Sequence, residues 1–471
     1  MNSPTPLPAR PTQSPRTRRP TVRELPADLL TPVGAFLRLR HRGPAFLLES
    51  VERGQQVGRY SFLGAGCRPL ALDASPEGDL FAPLREALAE HAGADREGLP
   101  PFTGGAVGYV AYDAIRRFEP TVTLPDRQEG DPAASARFLI ADIVVVFDHV
   151  RRTIEVIAQP GRDRDADAIA AELMGPLPDG VGPVPGLSGS PGAEAEVTPD
   201  EYEAYVRRAQ EHIEAGDAFQ IVISQRHVRP TAATPFAIYR ALRAVNPSPY
   251  MVFADFGSLQ IISASPETHV ALTRGGVATL KPIAGSRARG SDGAEDDALA
   301  AELRSDEKER AEHLMLVDLA RNDLGRVCEP GTVEVVKELE VERYSHIMHL
   351  VSQVEGRLRE GEDGFSLLEA TFPAGTVSGA PKVRAMQLIS EIEGRRRGVY
   401  AGAIGYVGYD GAVDTCIALR TIVMRDGLAL LQAGAGIVAD SVPASEHQEC
   451  LNKIAALGAA IDVAETGRYG R

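Results

Sequence analysis

Two hydrophobic periods alternate along the chain. Apolar runs of strand length include Ala45-Phe46-Leu47-Leu48-Glu49-Ser50 and the glycine-bounded run from Gly58 to Gly64. Phe138 to Phe147 and Thr153 to Ala158 read as a hairpin joined by the polar turn at 148–152. Further strands are predicted at 218–224, 251–255, 259–264, 268–272, 280–287, 332–342, 399–407, 414–424 and 428–434. Helical spacing marks 80–92, 198–215, 235–244, 306–324 and about 446–461. Thr198 with Glu201 three residues on is a capping-box pattern, and Ser445 with Gln448 is another. Ser305 is the expected N-cap of the 306–324 helix. Another helix opens with Pro381 in its first turn and stops at Gly394. Residues 343–360, with His346 and His349, fit either period. The sum is a mixed α and β chain rich in antiparallel strands.

Composition divides this pattern. Residues 1–20 hold six prolines, four arginines and no acid, which cannot build a core and reads as a disordered tail. An ordered segment is expected over 21–174, a Gly/Pro/Ser-rich linker over 175–197, a second segment over 198–462 and a short tail over 463–471. The net charge of −15 argues against a nucleic-acid partner. No stretch reaches the apolar length that crosses a bilayer. Cys67, Cys328, Cys416 and Cys450 form no CxxC, so free thiols in a reduced, cytoplasmic setting are expected. None lies in a G-x-C-x-G context, so no glutaminase nucleophile is expected here.

Several polar residues sit where apolar ones belong. Glu312, Leu316 and Leu319 fall on one helical stripe. A carboxylate there either meets a cation, such as Lys308 one turn back, or holds a metal. Glu446 and Glu449 share a helix face, and Lys453 follows Glu449 by four. They form either a solvated face with an ion pair or, with Glu312, the oxygen donors of a hard ion such as Mg²⁺. Gly434 and Gly436 either end a strand tightly or let backbone N–H groups approach an anion. The helix start at Ser378–Lys382 is a second possible anion site. Gln220 interrupts an apolar run, as an edge position would. Arg420 ends another and calls for an anionic partner, either a structural carboxylate or a ligand.

The runs P-I-A-G-S-R, D-L-A-R-N-D-L-G-R, Y-S-H-I-M-H-L-V-S, T-V-S-G-A-P-K-V-R-A-M, D-T-C-I-A-L-R-T and Q-A-G-A-G-I-V-A-D-S occur in this order. The chain resembles the chorismate-utilising enzymes, and within them the anthranilate-forming branch. The resemblance covers roughly residues 40–70 and 198–458. It implies an α+β fold of two packed antiparallel sheets with helices outside. It also implies conversion of chorismate and ammonia to anthranilate and pyruvate, the first step of tryptophan biosynthesis, with a glutamine amidotransferase partner supplying the ammonia.

By that resemblance, Glu312 and Glu449 would ligate Mg²⁺, with Glu446 a water-mediated partner and Glu309 in a similar outer role. Glu267 would protonate the departing hydroxyl, and His349 would assist pyruvate elimination. Tyr400 and Arg420 would hold the enolpyruvyl carboxylate. Gly434, Ala435 and Gly436 would offer backbone N–H groups, while Gly285, Ser286 and Thr376 would contact the ring side. The family usually has Thr where Ser286 stands, and the hydroxyl is kept. Aminodeoxychorismate synthases carry a lysine where this chain has Ala284, and isochorismate and salicylate synthases carry one at Gln220. Both positions point to anthranilate. Leu48, Glu49, Ser50, Asn246, Pro249, Tyr250 and Met251 match a tryptophan feedback site. The plain alternative is a strand packed on a rigid turn. A non-catalytic tryptophan-sensing relative should have lost some of Glu267, Glu312, His349, Arg420 and Glu449, and all five are present.

Overall fold

The computed structural model describes residues 19–50, 58–72, 78–126, 134–176, 192–343 and 347–468. Most of the 1–20 tail, residues 177–191 of the linker, His346 and the last three residues lie outside them.

Among the described residues, two antiparallel sheets of twelve and ten strands carry the fold, with helices packed outside. Both the 21–174 and the 198–462 segments contribute to each sheet. In the larger one, Ala45–Glu49 pairs with Tyr250–Asp255, setting Glu49 opposite Met251. In the smaller one, Gly105–Val110 pairs with Ala403–Gly408.

Alternation along each strand divides the core. Val144 and Val146 join the cluster between the sheets with Phe46, Phe62 and Tyr406. Ile143, Val145 and Phe147 face the other way, into a cluster with the helices Pro32–Leu39, Asp163–Leu173, Pro235–Val245 and Pro443–Thr466. The outer face of the smaller sheet packs on Ala82–Ala89, Gly364–Thr371 and part of Glu307–Gly325. Strands buried on both faces read as continuous apolar runs. Each large side chain buried this way contributes about 1.5–3 kcal/mol.

The capping box at Thr198 and Glu201 forms, and Gly394 ends its helix in the left-handed region, at φ 61. Other local expectations are corrected. The 138–147 run is two strands, Ala136–Ala141 and Ile143–Asp148, which belong to different sheets. The 414–424 run likewise splits into Val413–Ile417 and Thr421–Arg425, with Arg420 at φ 47 in the crossing. The 280–287 run breaks before Ile283–Ala288, because Pro282 lacks the N–H a ladder needs. Strand period wins at Ile347–Arg357.

The cap of Glu307–Gly325 is Asp306, whose carboxylate accepts from the N–H groups of Lys308 and Glu309. Ser305 instead ends a preceding helix, Gly293–Ser305. Pro381 is itself the cap of Lys382–Glu393. The last helix starts at Pro443 without a side-chain cap and continues to Thr466, so Ser445 lies inside it and 463–466 is helix, not tail.

Candidate active site

Two crossings between the sheets lie side by side. Ser265-Pro266-Glu267 leads from Gln260–Ser265 in the larger sheet to Thr268–Leu272 in the smaller, and residues 418–420 return. They are tied by Ala264 N–H to Arg420 O at 3.1 Å, Ile417 N–H to Glu267 O at 3.0 Å and Ser265 Oγ to Ile417 O at 2.6 Å. Burial pushes the Glu267 carboxyl up to about 8, with the Thr376 hydroxyl pulling the other way. Glu267 is therefore protonated at neutral pH. The Thr376 hydroxyl is itself buried and meets no partner at hydrogen-bonding geometry among the described residues. Both residues line a cavity of about 40 Å³ with Lys281, Leu316 and Asp323.

Arg420 lies in a recess. The residue is exposed, yet the surrounding protein lowers its pKa by desolvation. Its guanidinium makes no hydrogen bond or ion pair with any described residue, so the structural carboxylate that sequence allowed is not there. It is close enough to His349 to hold that imidazole pKa down, after burial, the larger cause.

His349 is placed by a bulge. Ile283–Ala288 pairs with Ile347–Arg357 as Ala284 with Leu350 and then Ser286 with His349, leaving Gly285 unpaired at φ +80. A side chain at Gly285 would meet Glu309 Oε2 at 3.0 Å. The Gly285 carbonyl accepts from His349 Nδ1 at 3.2 Å. A carbonyl can only accept, so Nδ1 carries the proton and Nε2 is the basic nitrogen of the neutral ring. Ser286 is exposed beside it.

The acidic side is built on two neighbouring strands, Gln220–Pro230 and Leu428–Ile437. Gln220 Nε2 donates to Glu312 Oε1 at 3.0 Å. Gly436 abuts that amide, since a Cβ there would lie 2.8 Å from Gln220 Nε2. Gly434 likewise leaves room for Tyr400, whose hydroxyl would lie 2.7 Å from such a Cβ, and Ala435 between them is buried. Lys453 Nζ donates to Gly434 O at 2.8 Å and pairs with Glu449 at 2.6 Å, the expected i, i+4 pair. Glu312 does not pair with Lys308, which holds Asp440 at 2.8 Å. Burial raises the Glu446 carboxyl, Ser441 opposes this, and repulsion from Glu449 adds to it. Among the described residues, no three His, Cys, Asp or Glu side chains form a group that could hold a metal.

A second cavity, of about 600 Å³, brings the remote pieces together: Leu48, Glu49 and Ser50 with Pro249, Tyr250 and Met251. The Ser50 hydroxyl is buried and meets no hydrogen-bond partner among the described residues. The Glu49 carboxylate is engaged by Tyr239 at 2.7 Å and by Arg243 at 3.0 and 3.2 Å. Asn246 ends the Pro235–Val245 helix and does not line this cavity. Thr268 and Lys281 line both cavities, and the Tyr250 hydroxyl bonds Thr268 Oγ1 at 2.9 Å.

The profile of the chorismate binding enzyme family matches residues 43–459. The chain belongs to the chorismate binding enzyme family. It is similar to anthranilate synthase component 1 of Thermus thermophilus, at 48% identity over 95% of this chain and 99% of that protein. Anthranilate synthase component 1 of Streptomyces coelicolor is also 48% identical, over 95% and 89%. The crystal structure of anthranilate synthase component I from Streptococcus pneumoniae superposes with a TM-score of 0.77 at 37% identity, covering 92% of this chain and 98% of that one. The two-sheet fold is thus that of the chorismate-utilising enzymes. Among the described residues no helix is long and apolar enough to cross a membrane.

Sequence reasoning missed several polar residues packed against this candidate site. Lys382 donates to Asp323 at 2.7 Å and to Thr371 O at 3.0 Å. His269, held down to about 3 by burial and by Lys382, lines the small cavity. Arg397 and Glu393 form a buried pair at 2.5 Å. The only sequence signal for that pair was i, i+4 spacing across Gly394, within a run of three arginines that reads as surface.

Proposed function

We propose that this chain converts chorismate and ammonia to anthranilate and pyruvate as the large component of an anthranilate synthase. The observation that carries the choice of product is Gln220, a neutral amide bonded to Glu312 where a lysine base would activate water. Ammonia is already a nucleophile and needs no such base. Ala284 likewise offers no lysine to attack the ring.

Glu267, protonated at neutral pH, gives its proton to the departing hydroxyl. Basic Nε2 of His349 takes a proton as pyruvate leaves. Arg420, a cation with no counter-charge among the described residues, binds the enolpyruvyl carboxylate together with Tyr400. Gly434, Ala435 and Gly436 present main chain to the substrate, and Gly285, Ser286 and Thr376 flank the ring.

The donors near Gln220 suit a hard cation in chemistry, being carboxylate oxygens with no sulfur. Mg²⁺ needs only one or two of them beside water and substrate. Glu312 and Glu449 would hold it, with Glu446 through water. When bound, Mg²⁺ would act as a Lewis acid on the ring carboxylate.

Ammonia comes from a glutamine amidotransferase partner, a reading supported by the "component 1" in the relatives' names. The larger cavity is a tryptophan feedback site, with the Ser50 hydroxyl, which has no partner among the described residues, as a donor. Pro266 and Thr268 line it on either side of Glu267, so a ligand there acts next to the catalytic acid.

The test is anthranilate fluorescence from chorismate, Mg²⁺ and ammonium salt on the purified chain. A signal that requires Mg²⁺ and falls with tryptophan is expected. No signal, even with a glutaminase partner supplied, refutes the reading.

A further inference from the structure

We infer that Arg397 is a positioning residue: its buried guanidinium, clamped by Glu393, holds the strand of Gln220, the turn of Thr376 and the ring of Tyr400 in one arrangement. The inference rests on the proposed reading of those three as substrate-side residues.

Arg397 is 2% exposed and Glu393 6%. Nε donates to Glu393 Oε2 at 2.9 Å and Nη2 to Glu393 Oε1 at 2.5 Å. Nη2 also donates to Val222 O at 2.6 Å, two residues along the strand from Gln220. Nη1 donates to Val377 O at 2.8 Å, next to Thr376. The guanidinium carbon lies 5.7 Å from the Tyr400 ring centre and 4.9 Å from that of Tyr112. Glu393 completes the clamp, accepting from Ser224 N–H at 2.8 Å and Ser224 Oγ at 3.0 Å. Asp113 fixes the Arg397 main chain, accepting from the N–H groups of Arg397 and Gly398 at 3.3 and 3.2 Å.

A buried ion pair is a poor source of stability, because desolvation offsets most of the attraction. What a planar fork does well is fix angles between the groups it bridges. Here it ties the distant strand of Gln220, 175 residues away at Val222, to the turn of Thr376 and to nearby Tyr400, each of which carries a substrate-side group. Lysine at 397 would keep the charge and lose the fork. It cannot hold Val222 O, Val377 O and both Glu393 oxygens in one plane.

Arg397→Lys and Glu393→Gln are compared with Arg229→Lys. Arg229 is also buried and ion-paired, with Glu465 at 2.9 Å and Asp462 at 2.6 Å, at the far end of the same strand. Chorismate affinity by calorimetry, kcat and KM for chorismate, the pH profile and Tm are measured for each. Arg397→Lys is expected to weaken chorismate binding roughly ten-fold and to lower kcat by about 10²-fold. It should also move the alkaline limb of the profile, since Thr376 no longer faces Glu267. Glu393→Gln should give the same signature in milder form if Arg397→Lys does not fold. Arg229→Lys should lower Tm alone. Parent-like affinity, kcat and pH profile in a folded Arg397→Lys or Glu393→Gln protein would overturn the inference. So would an equal kinetic loss in Arg229→Lys, which would mark the effect as general destabilisation. Calorimetric binding does not depend on which product forms. A parent that binds chorismate without making anthranilate therefore refutes the proposed reaction and still leaves this comparison decisive.

Discussion

Glu267 offers the sharpest test of the site, because its role requires a titration that a side chain in water would not show. A carboxyl raised from 4.5 to about 8 costs roughly 5 kcal/mol to charge where it lies. The folded protein binds this proton more tightly than the unfolded chain. Stability is therefore complete below pH 4.5, declines as pH rises toward 8, and levels off above that. Glu267→Gln keeps the shape and removes the proton. Between pH 5 and pH 7 the parent should lose about 2.5 kcal/mol of stability relative to the variant. Urea denaturation at the two pH values reads this directly, from midpoints compared at a common slope. Turnover gives the second readout. The parent should lose activity above pH 8 when free ammonia is held constant, and the variant should be about 10²–10⁴-fold slower. If parent and variant change stability in parallel between pH 5 and pH 7, the carboxyl titrates normally and the proton-donor role falls.

Four further outcomes are expected. Glu312→Gln and Glu449→Gln should each abolish turnover while circular dichroism and Tm stay near the parent's; unchanged activity would remove that residue from the metal site. Arg420→Lys should raise the chorismate KM by roughly 10–100-fold, the worth of about 1.5–3 kcal/mol for a charge-assisted bond, and a parent-like KM would place the carboxylate elsewhere. Gly285→Ala should cost about 1–2 kcal/mol in a denaturation midpoint, because φ +80 is left-handed and the new Cβ meets Glu309. It should also slow turnover by displacing His349, and a normal rate would argue against His349. Ser50→Ala should raise the tryptophan concentration for half-inhibition of anthranilate formation, and an unaltered inhibition curve would remove Ser50 from the feedback site.

Local chemistry determined much of this protein before any contact was known. The capping box at Thr198 and the left-handed stop at Gly394 depend only on residues within one turn, and both form as the sequence indicates. Many strands were legible for the same reason, since alternating or continuous apolar runs state how many faces are buried, but Thr21–Pro26, Arg68–Leu72 and Gly105–Val110 were not read. The family was legible because its motifs are contiguous.

Which sheet a strand joins was not legible. The run around Asp142 is apolar on both sides of the break, and burial in the sandwich looks the same in sequence as burial under a helix. Only the tertiary structure separated Ala136–Ala141 from Ile143–Asp148, and Val413–Ile417 from Thr421–Arg425. Partners of polar groups were undetermined for a related reason. A charge states that it needs a counterpart, not where the chain will return to supply one. Sequence offered Lys308 to Glu312, and the fold gave it Gln220, 92 residues away. It offered Arg420 a carboxylate, and the fold supplied none among the described residues. Arg397 stood out in no sequence pattern, and its buried guanidinium meets Val222 O and Val377 O, 175 and 20 residues away, only after folding.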